Sequence, residues 1–280
     1  MKIARHWKRA EIEARSPEGK PMTVTAWGWS ATGAEEAQQR AQEAVRRSAA
    51  RIAAGQGFPD RYDYLDRPPR EEIIEEITDL AMVTRNSYGS LILNTKDLMF
   101  IDIDVPFESS FPRLIRSFKH LFGITAESPT DRIRDRIAVI ARSRPAYTCR
   151  IYQTAAGFRC IVINKRIHPN SPESNELLLA FDADPLYVRL CKNQESFRGR
   201  LTPKHWRCGV DRPTGRFPFE TDDDDKRFRT WQKTYETVCE RYATCTFVEQ
   251  FGTQEGVADF RKLIEIHDRL TRSNSGLDLA

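Results

Sequence analysis

The chain has 280 residues, of which 40% are hydrophobic and 30% are charged, so it can bury one large core or a core with a smaller module. This composition excludes an intrinsically disordered chain and a membrane-embedded one. The formal net charge of +4 permits a nucleic-acid or phosphate partner without requiring one.

The lengths of the apolar runs and the pattern of cysteines indicate in which cellular compartment the protein is expected. No apolar run approaches the ~20 residues of a bilayer span, and the first residues lack the apolar run of a signal peptide. The six cysteines include no C-x-x-C pair, which argues against a zinc ribbon and predicts buried, reduced thiols. We therefore expect a cytoplasmic protein without a membrane partner, and the sequence leaves its oligomeric state open.

A strand and a helix are predicted in the N-terminal part. Residues 22–29 alternate and are rich in Val, Thr and Trp, which is typical of a strand, and strong helix formers fill residues 34–54. Residues 58–70 predict an ordered loop that is rich in Tyr, Asp, Arg and Pro. The Glu and Ile spacing of residues 71–77 predicts a short amphipathic helix.

The densest strand signal lies between residues 81 and 104. Three short strand-like runs are separated by turns at residues 86–89 and 94–97, which predicts an antiparallel meander. The last of these strands covers residues 98–105 and ends at Pro106.

The remaining elements are a β-hairpin and helices. The hairpin is predicted at residues 147–154 and 158–164. Helices are predicted at 111–122, 132–142, 173–181, from 184, at 226–241 and at 256–270. Together these elements predict an α+β fold, in which an antiparallel sheet packs with helices. We expect residues 1–220 to form the core with an N-terminal strand-helix decoration, and residues 221–280 to form a helical C-terminal extension packed on that core.

Two aspartates share one face of the strand at residues 98–105. Alternate side chains of a strand point to the same side, so Asp102 and Asp104 project together among apolar neighbours. Carboxylates this close repel each other and raise one pKa unless a cation lies between them, and such oxygen ligands suit Mg²⁺ or Mn²⁺. The alternative is that one aspartate caps a turn or pairs with an arginine while the other faces water.

The turn of the predicted hairpin is a second candidate element. Its small residues, Ala155-Ala156-Gly157, allow backbone amides to approach a phosphate. An ordinary hairpin turn in which Gly157 supplies a positive φ explains the same pattern.

Basic residues crowd a third segment, which follows Asp182-Ala183-Asp184-Pro185 and ends at Arg207. Its cationic side chains are interleaved with Phe197 and Trp206, which predicts a clamp for a polyphosphate or a nucleic-acid backbone. The alternative is a solvated basic surface that pairs with the acidic run at residues 222–225. The candidate phosphate-binding residues of this clamp are Lys192, Arg198, Arg200 and Lys204.

Taken in order, the Phe-Ile-Asp-Ile-Asp strand, the turn with Gly157, the Asp-Ala-Asp-Pro segment and the Arg-x-x-Pro-Lys stretch resemble the archaeo-eukaryotic primase (primase-polymerase) superfamily over about residues 98–207. The resemblance implies an RRM-like antiparallel sheet and divalent-metal-dependent polymerisation of nucleotides on a nucleic-acid template. It implies that the catalytic metal ligands are Asp102, Asp104 and Asp184, or Asp182 in place of Asp184. It also implies that phosphates meet Arg198, Arg200 and Lys204.

The chain departs from that family in the second motif. The motif normally ends in a histidine that contacts the phosphates of the nucleotide, whereas this chain has Phe158-Arg159-Cys160 there. Arg159 is a candidate for the phosphate contact because it is permanently charged and bidentate. The alternative is that polymerase activity is absent and that nucleotide or RNA binding remains.

The leading functional hypothesis is a metal-dependent, primase-like protein that binds a nucleotide or nucleic acid and performs nucleotidyl transfer if it is catalytic. A non-catalytic RNA-binding or DNA-binding module is the second hypothesis. The third is a metal-dependent phosphoesterase or nuclease that uses the same aspartates.

Overall fold

Ten strands and six α-helices are formed by the residues that the computed structural model describes, which are 1–56, 68–105 and 128–280. The strands are β1 (His6–Arg15), β2 (Pro21–Ser30), β3 (Glu72–Thr78), β4 (Ala81–Arg85), β5 (Leu91–Thr95), β6 (Met99–Asp104), β7 (Cys149–Thr154), β8 (Gly157–Val162), β9 (Phe197–Arg200) and β10 (Cys245–Phe251). The helices are α1 (Ala34–Ala53), α2 (Pro129–Arg142), α3 (Pro172–Ala180), α4 (Pro185–Gln194), α5 (Asp222–Cys239) and α6 (Phe260–Thr271). This mixture of helices and antiparallel strands confirms the α+β class.

The described strands form a hairpin and two four-stranded sheets, all antiparallel. The hairpin is β1-β2, one sheet has the order β10-β7-β8-β6, and the other has the order β3-β4-β5-β9. The predicted β7-β8 hairpin and the β4-β5 pair are confirmed. The predicted meander is wrong at its last strand, because β6 pairs with β8 in the other sheet. Phe100 and Ile101 are both completely buried, and a strand that is apolar on both faces suits the interior between two sheets.

The predicted helix at residues 71–77 is wrong, because all of these residues except Glu71 belong to β3. Its register with β4 shifts between Ile73 and Glu75 and again between Glu76 and Thr78. Each bulge inserts an extra residue and breaks the strict alternation of a strand. The isoleucine spacing therefore imitates a helix, whereas β-branched side chains and pairing with β4 favour the strand.

The C-terminal part is less helical than predicted. Helices α5 and α6 confirm the two predicted helices, but β10 lies between them and pairs with β7. Residues beyond 220 therefore add a strand to the sheet that contains β6. The predicted helix at residues 111–122 and most of the predicted loop at residues 58–70 lie outside the described residues.

Three helices begin with the same local signal, a capping residue followed by proline. Ser128, Ser171 and Asp184 each accept a backbone N–H of the first helical turn, and the next residue is Pro129, Pro172 or Pro185. The cap satisfies an N–H that has no partner inside the helix, and proline has no N–H to satisfy. These signals fix where α2, α3 and α4 start.

Two expectations about composition were tested by the fold. All six cysteines are free and buried, as expected. Among the described helices, none combines the length and the apolar content that crossing a bilayer requires.

Candidate functional site

Strand β6 carries Asp102 and Asp104 at the edge of its sheet. The register places Asp102 opposite Arg159 and Asp104 opposite Gly157, both on β8. The Asp102 side chain is 34% exposed and Asp104 is exposed, while Ile103 between them is buried. The two carboxylates therefore share one face of β6, as their spacing predicted, and Phe100 on the same face packs against Gly199 of β9.

Gly157 is required for close packing against β6. A Cβ atom at this position would lie 2.0 Å from the Ile103 carbonyl oxygen and 3.0 Å from the Cα of Asp104. Gly157 is absent from the glycines with positive φ, so the alternative based on its backbone angle is wrong. The glycine lets the β7-β8 turn approach the end of the strand that carries the aspartates.

Arg159 holds Asp102 in place. Its Nε donates to Asp102 Oδ1 at 2.9 Å, and its Nη1 donates to the backbone oxygen of Arg200 at 2.8 Å. The Arg159 side chain is only 3% exposed. Arg159 thus orients Asp102 and joins β8 to the end of β9, whereas the phosphate contact predicted for it would require an outward-facing guanidinium.

A buried polar chain continues behind Arg159. Its Nη1 lies 3.4 Å from His267 Nε2, and since arginine can only donate, Nε2 is the acceptor and the His267 proton sits on Nδ1. His267 Nδ1 then donates to Asp268 Oδ1 at 2.9 Å. Burial, together with the charge of Arg159, lowers the pKa of His267 to about 4, so this histidine is neutral at pH 7.

Asp184 lies beside β6 at the start of α4. Its backbone N–H donates to the Asp102 carbonyl at 3.1 Å, and its carboxylate accepts the N–H groups of Leu186 and Tyr187 at 3.0 and 3.2 Å. Asp182, the alternative third acid, turns away and pairs with Arg136 at 3.0 Å. The structure thus brings Asp184 to the two strand aspartates and separates Asp182 from them.

Of the three carboxylates, Asp104 has the fewest stabilising contacts. Asp102 and Asp184 accept hydrogen bonds, whereas the Asp104 carboxylate accepts none from any residue in the described ranges. Partial burial, followed by repulsion from Asp184 and from Asp102, raises the pKa of Asp104, although Lys204 and Arg207 oppose this effect. A cation among these carboxylates would relieve that repulsion.

Arg200 and Lys204 form a cationic group that faces the aspartates. Arg200 Nη1 is buried and has no hydrogen-bond partner among the described residues. Burial, opposed by Asp102 but reinforced by Arg159 and Arg207, lowers the pKa of Arg200 to about 10. Burial and the nearby charges of Arg200 and Arg207 lower the pKa of Lys204 to about 8. Both shifts arise mainly because burial removes these cations from water, and the neighbouring positive charges add to the effect.

The other two candidate phosphate ligands are not available in the same way: Arg198 lines the same cavity as Arg200 but is paired inside the protein, and Lys192 lies elsewhere. Arg198 is buried and binds Glu71, and its Nη1 donates to Asn94 Oδ1 at 2.7 Å. Lys192 is exposed on α4 and lines a different groove with Asp182. Arg198 therefore connects β9 internally, and Lys192 lies on another surface.

The donor atoms fit a divalent cation with few protein ligands. Within the described ranges, no three His, Cys, Asp or Glu side chains are arranged as a metal-binding group. Asp102 Oδ2 and both Asp104 oxygens nevertheless accept no hydrogen bond from described residues, and Asp104 forms no ion pair with them, although Lys204 and Arg207 lie near enough to oppose the rise of its pKa. Mg²⁺ is commonly bound by one or two carboxylates, with water and substrate phosphates as its other ligands. Asp184 as a third ligand stays a prediction, because its oxygens already cap α4.

Tyr187 connects the two sheets next to the site. Its hydroxyl donates to the Phe100 carbonyl of β6 at 2.8 Å and accepts the Arg198 N–H of β9 at 3.5 Å. Gly199 of β9 lies against Phe100, and a Cβ there would come within 2.7 Å of that ring. The aspartate-bearing strand and the arginine-bearing strand thus meet without a shared backbone ladder.

Sequence reasoning missed Glu71, His267 and Tyr187. Their partners are distant along the chain: Glu71 binds Arg198 across 127 positions, and His267 contacts Arg159 across 108. No local pattern marks such contacts. The chain was also compared with protein-family models, with curated proteins and with solved structures, and it matches none of them.

Proposed function

We propose that this protein binds a nucleotide or nucleic acid with the help of Mg²⁺ or Mn²⁺, and that it is a primase-like nucleotidyltransferase. The observation that carries the proposal is the meeting of Asp102 and Asp104 with Arg200 and Lys204 at one end of β6. The carboxylates suit a divalent cation and the cationic side chains suit phosphate oxygens. In a metal-nucleotide complex, the positive metal ion would lie at the carboxylates and the negative phosphates would lie at the cationic side chains.

Each residue has a defined task in this proposal. Asp102 and Asp104 would hold the metal ion, and Arg159 keeps Asp102 in its orientation. Arg200 and Lys204 would bind phosphate oxygens. A bound metal would neutralise phosphate charge and polarise a phosphoryl oxygen.

One observation favours the non-catalytic binding module as a second candidate. Arg159 stands where the primase superfamily has a phosphate-contacting histidine, but its guanidinium is buried against Asp102. The phosphate contact of that motif is then missing from the described residues. Product analysis separates the candidates: extension of a primer indicates transfer, release of phosphate or nucleotides indicates a phosphoesterase or nuclease, and unchanged substrates indicate binding alone.

The metal role is tested with the double variant Asp102→Asn/Asp104→Asn. Asparagine keeps the volume of aspartate and an oxygen for Arg159 but removes both negative charges. We expect the dissociation constant for Mn²⁺, measured by calorimetry in the presence of ATP, to rise by roughly tenfold to a hundredfold or more, since loss of supporting groups alone has effects of that size. Asp182→Asn is the matched control and should bind as the wild type does. If the double variant binds Mn²⁺ as tightly as the wild type does, the proposed metal site at Asp102 and Asp104 is contradicted.

The phosphate role is tested by replacing Arg200 with Met. Loss of a charge-assisted hydrogen bond should raise the dissociation constant for inorganic tripolyphosphate by roughly tenfold to a hundredfold. Because folding lowers the pKa of Arg200, its charge opposes folding at pH 7, so the variant should unfold at the same or a higher temperature.

Two control variants make the phosphate test specific. Arg189→Met removes the same charge from the exposed face of α4, and Lys192→Ala removes the lysine predicted from the sequence. Both should leave tripolyphosphate binding unchanged. If tripolyphosphate binding is weakened equally in all three variants, net charge alone explains the binding and the phosphate site at Arg200 is contradicted.

A further inference from the structure

Three tryptophans lie on one face of the β1-β2 hairpin. The register places Trp7 directly opposite Trp29, and Trp27 is two positions from Trp29 on the same strand. Since side chains alternate along a strand, all three project to the same side.

The opposite face of the hairpin is covered by α1. It carries Val24, Ala26 and Gly28, and a Cβ at Gly28 would lie 2.1 Å from the carbonyl oxygen of Ala37 on α1. The helix and the hairpin thus form one packed unit. This packing turns the tryptophan face toward the rest of the protein.

The tryptophan face borders a cavity of about 660 Å³ that reaches the candidate site. Trp7, Trp27 and Trp29 line one side, and Asp102 and Arg200 line the same cavity. Small-molecule sites typically occupy about 300–1,000 Å³, so the space suits a ligand of the size of one nucleotide.

Two buried donors at this cavity have no partner within the described ranges. They are Nε1 of Trp7 and Nη1 of Arg200. A buried donor without an acceptor is unfavourable, so both atoms favour a ligand with polar acceptors at each end. The cavity therefore combines an aromatic surface, an indole N–H without an acceptor and a guanidinium N–H without an acceptor.

We propose that this cavity holds the nucleobase of a single nucleoside triphosphate, stacked against the tryptophans, while its phosphates lie at Arg200 and Lys204. The inference rests on the proposed function and adds the part of the ligand that the tryptophans recognise. Aromatic side chains stack on any base because every base has a π-face, so binding should depend little on base identity.

The test compares ATP with inorganic tripolyphosphate, each in the presence of Mn²⁺. Base stacking has effects equivalent to roughly 5- to 150-fold in affinity, so Trp27→Ala and Trp29→Ala should weaken ATP binding by that factor. Neither variant should change tripolyphosphate binding, and Trp29→Phe should retain most of the ATP affinity. In the wild type, ATP should quench tryptophan fluorescence and tripolyphosphate should not, which tests the inference even if an alanine variant fails to fold.

Each contrary result has a distinct meaning. If wild type and variants bind ATP and tripolyphosphate with the same affinity, and ATP causes no quenching, the base site is overturned while the phosphate site stands. If neither compound binds, the proposed function fails and the base site fails with it. If the variants lose affinity for single-stranded oligonucleotides and keep it for ATP, the tryptophans bind a strand and the single-nucleotide assignment is overturned.

Discussion

Replacing Glu71 with alanine is expected to lower the free energy of unfolding by about 3–5 kcal/mol. The Glu71 side chain is 4% exposed, and its carboxylate binds the guanidinium of Arg198 and accepts a hydrogen bond from Thr84. Removing Glu71 leaves the Arg198 charge buried without its counter-charge. Chemical denaturation followed by circular dichroism measures the loss.

The matched control is Glu75→Ala, an exposed glutamate on β3 that should change stability by no more than about 0.5 kcal/mol. The double variant Glu71→Met/Arg198→Leu should recover most of the loss, because it removes both charges and keeps the volume filled. A Glu71→Ala loss as small as that of Glu75→Ala would contradict the buried pair.

Lowering the pH from 7 to 4 is expected to remove about 3 kcal/mol of stability through His267 alone. Burial lowers the pKa of His267 to about 4, compared with 6.5 in an ordinary environment. Between these pH values the unfolded chain takes up a proton that the folded protein excludes. Stability therefore falls as the pH falls below 6.5, and the contribution levels off below pH 4.

The comparison of wild type with His267→Gln isolates this effect from other titrating groups. The stability difference between the two proteins should move by about 3 kcal/mol in favour of the variant as the pH drops from 7 to 4. Parallel curves would show that His267 does not titrate in this window. Among the described residues, the charged and titratable groups that face His267 are Arg150, Tyr152, Arg159, Cys245 and Asp268.

The same experiment has a consequence for the site. His267 contacts Arg159, which positions Asp102. A protonated His267 would place a second positive charge against Arg159. The loss of stability at low pH should therefore be accompanied by a weaker Arg159–Asp102 hydrogen bond and a changed orientation of the Asp102 side chain.

Local patterns predicted the parts of the fold whose signals are local. The β7-β8 hairpin, α1 and α2 follow from alternation, helix propensity and the Ser128 cap within a few residues. β3 was misread because its bulges hide the alternation. β9 was not foreseen, because Phe197-Arg198-Gly199-Arg200 looks like a basic loop until Glu71 and Asn94 supply partners for Arg198.

For the candidate site, too, the sequence predicted only the features that depend on local patterns. Two carboxylates on one strand face can be inferred from their spacing alone, and Asp102 and Asp104 share that face. The inward turn of Arg159 and Arg198 could not be inferred, since their partners come from β6, from α6 and from Glu71, which are all distant along the chain. The sequence indicates which residues carry charge, whereas the tertiary contacts decide which charges remain uncompensated.

The phenol of Tyr187 has a consequence for the electric field in the site. The acids belong to one sheet, whereas Arg200 ends a strand of the other sheet and Lys204 lies just beyond it. The width of the gap between the two sheets, which Tyr187 bridges, therefore influences the distance between opposite charges. Coulomb energy varies inversely with that distance. The hydroxyl of Tyr187 bonds both strands, so it helps to set how strongly a ligand between them is attracted by the aspartates and by the cations.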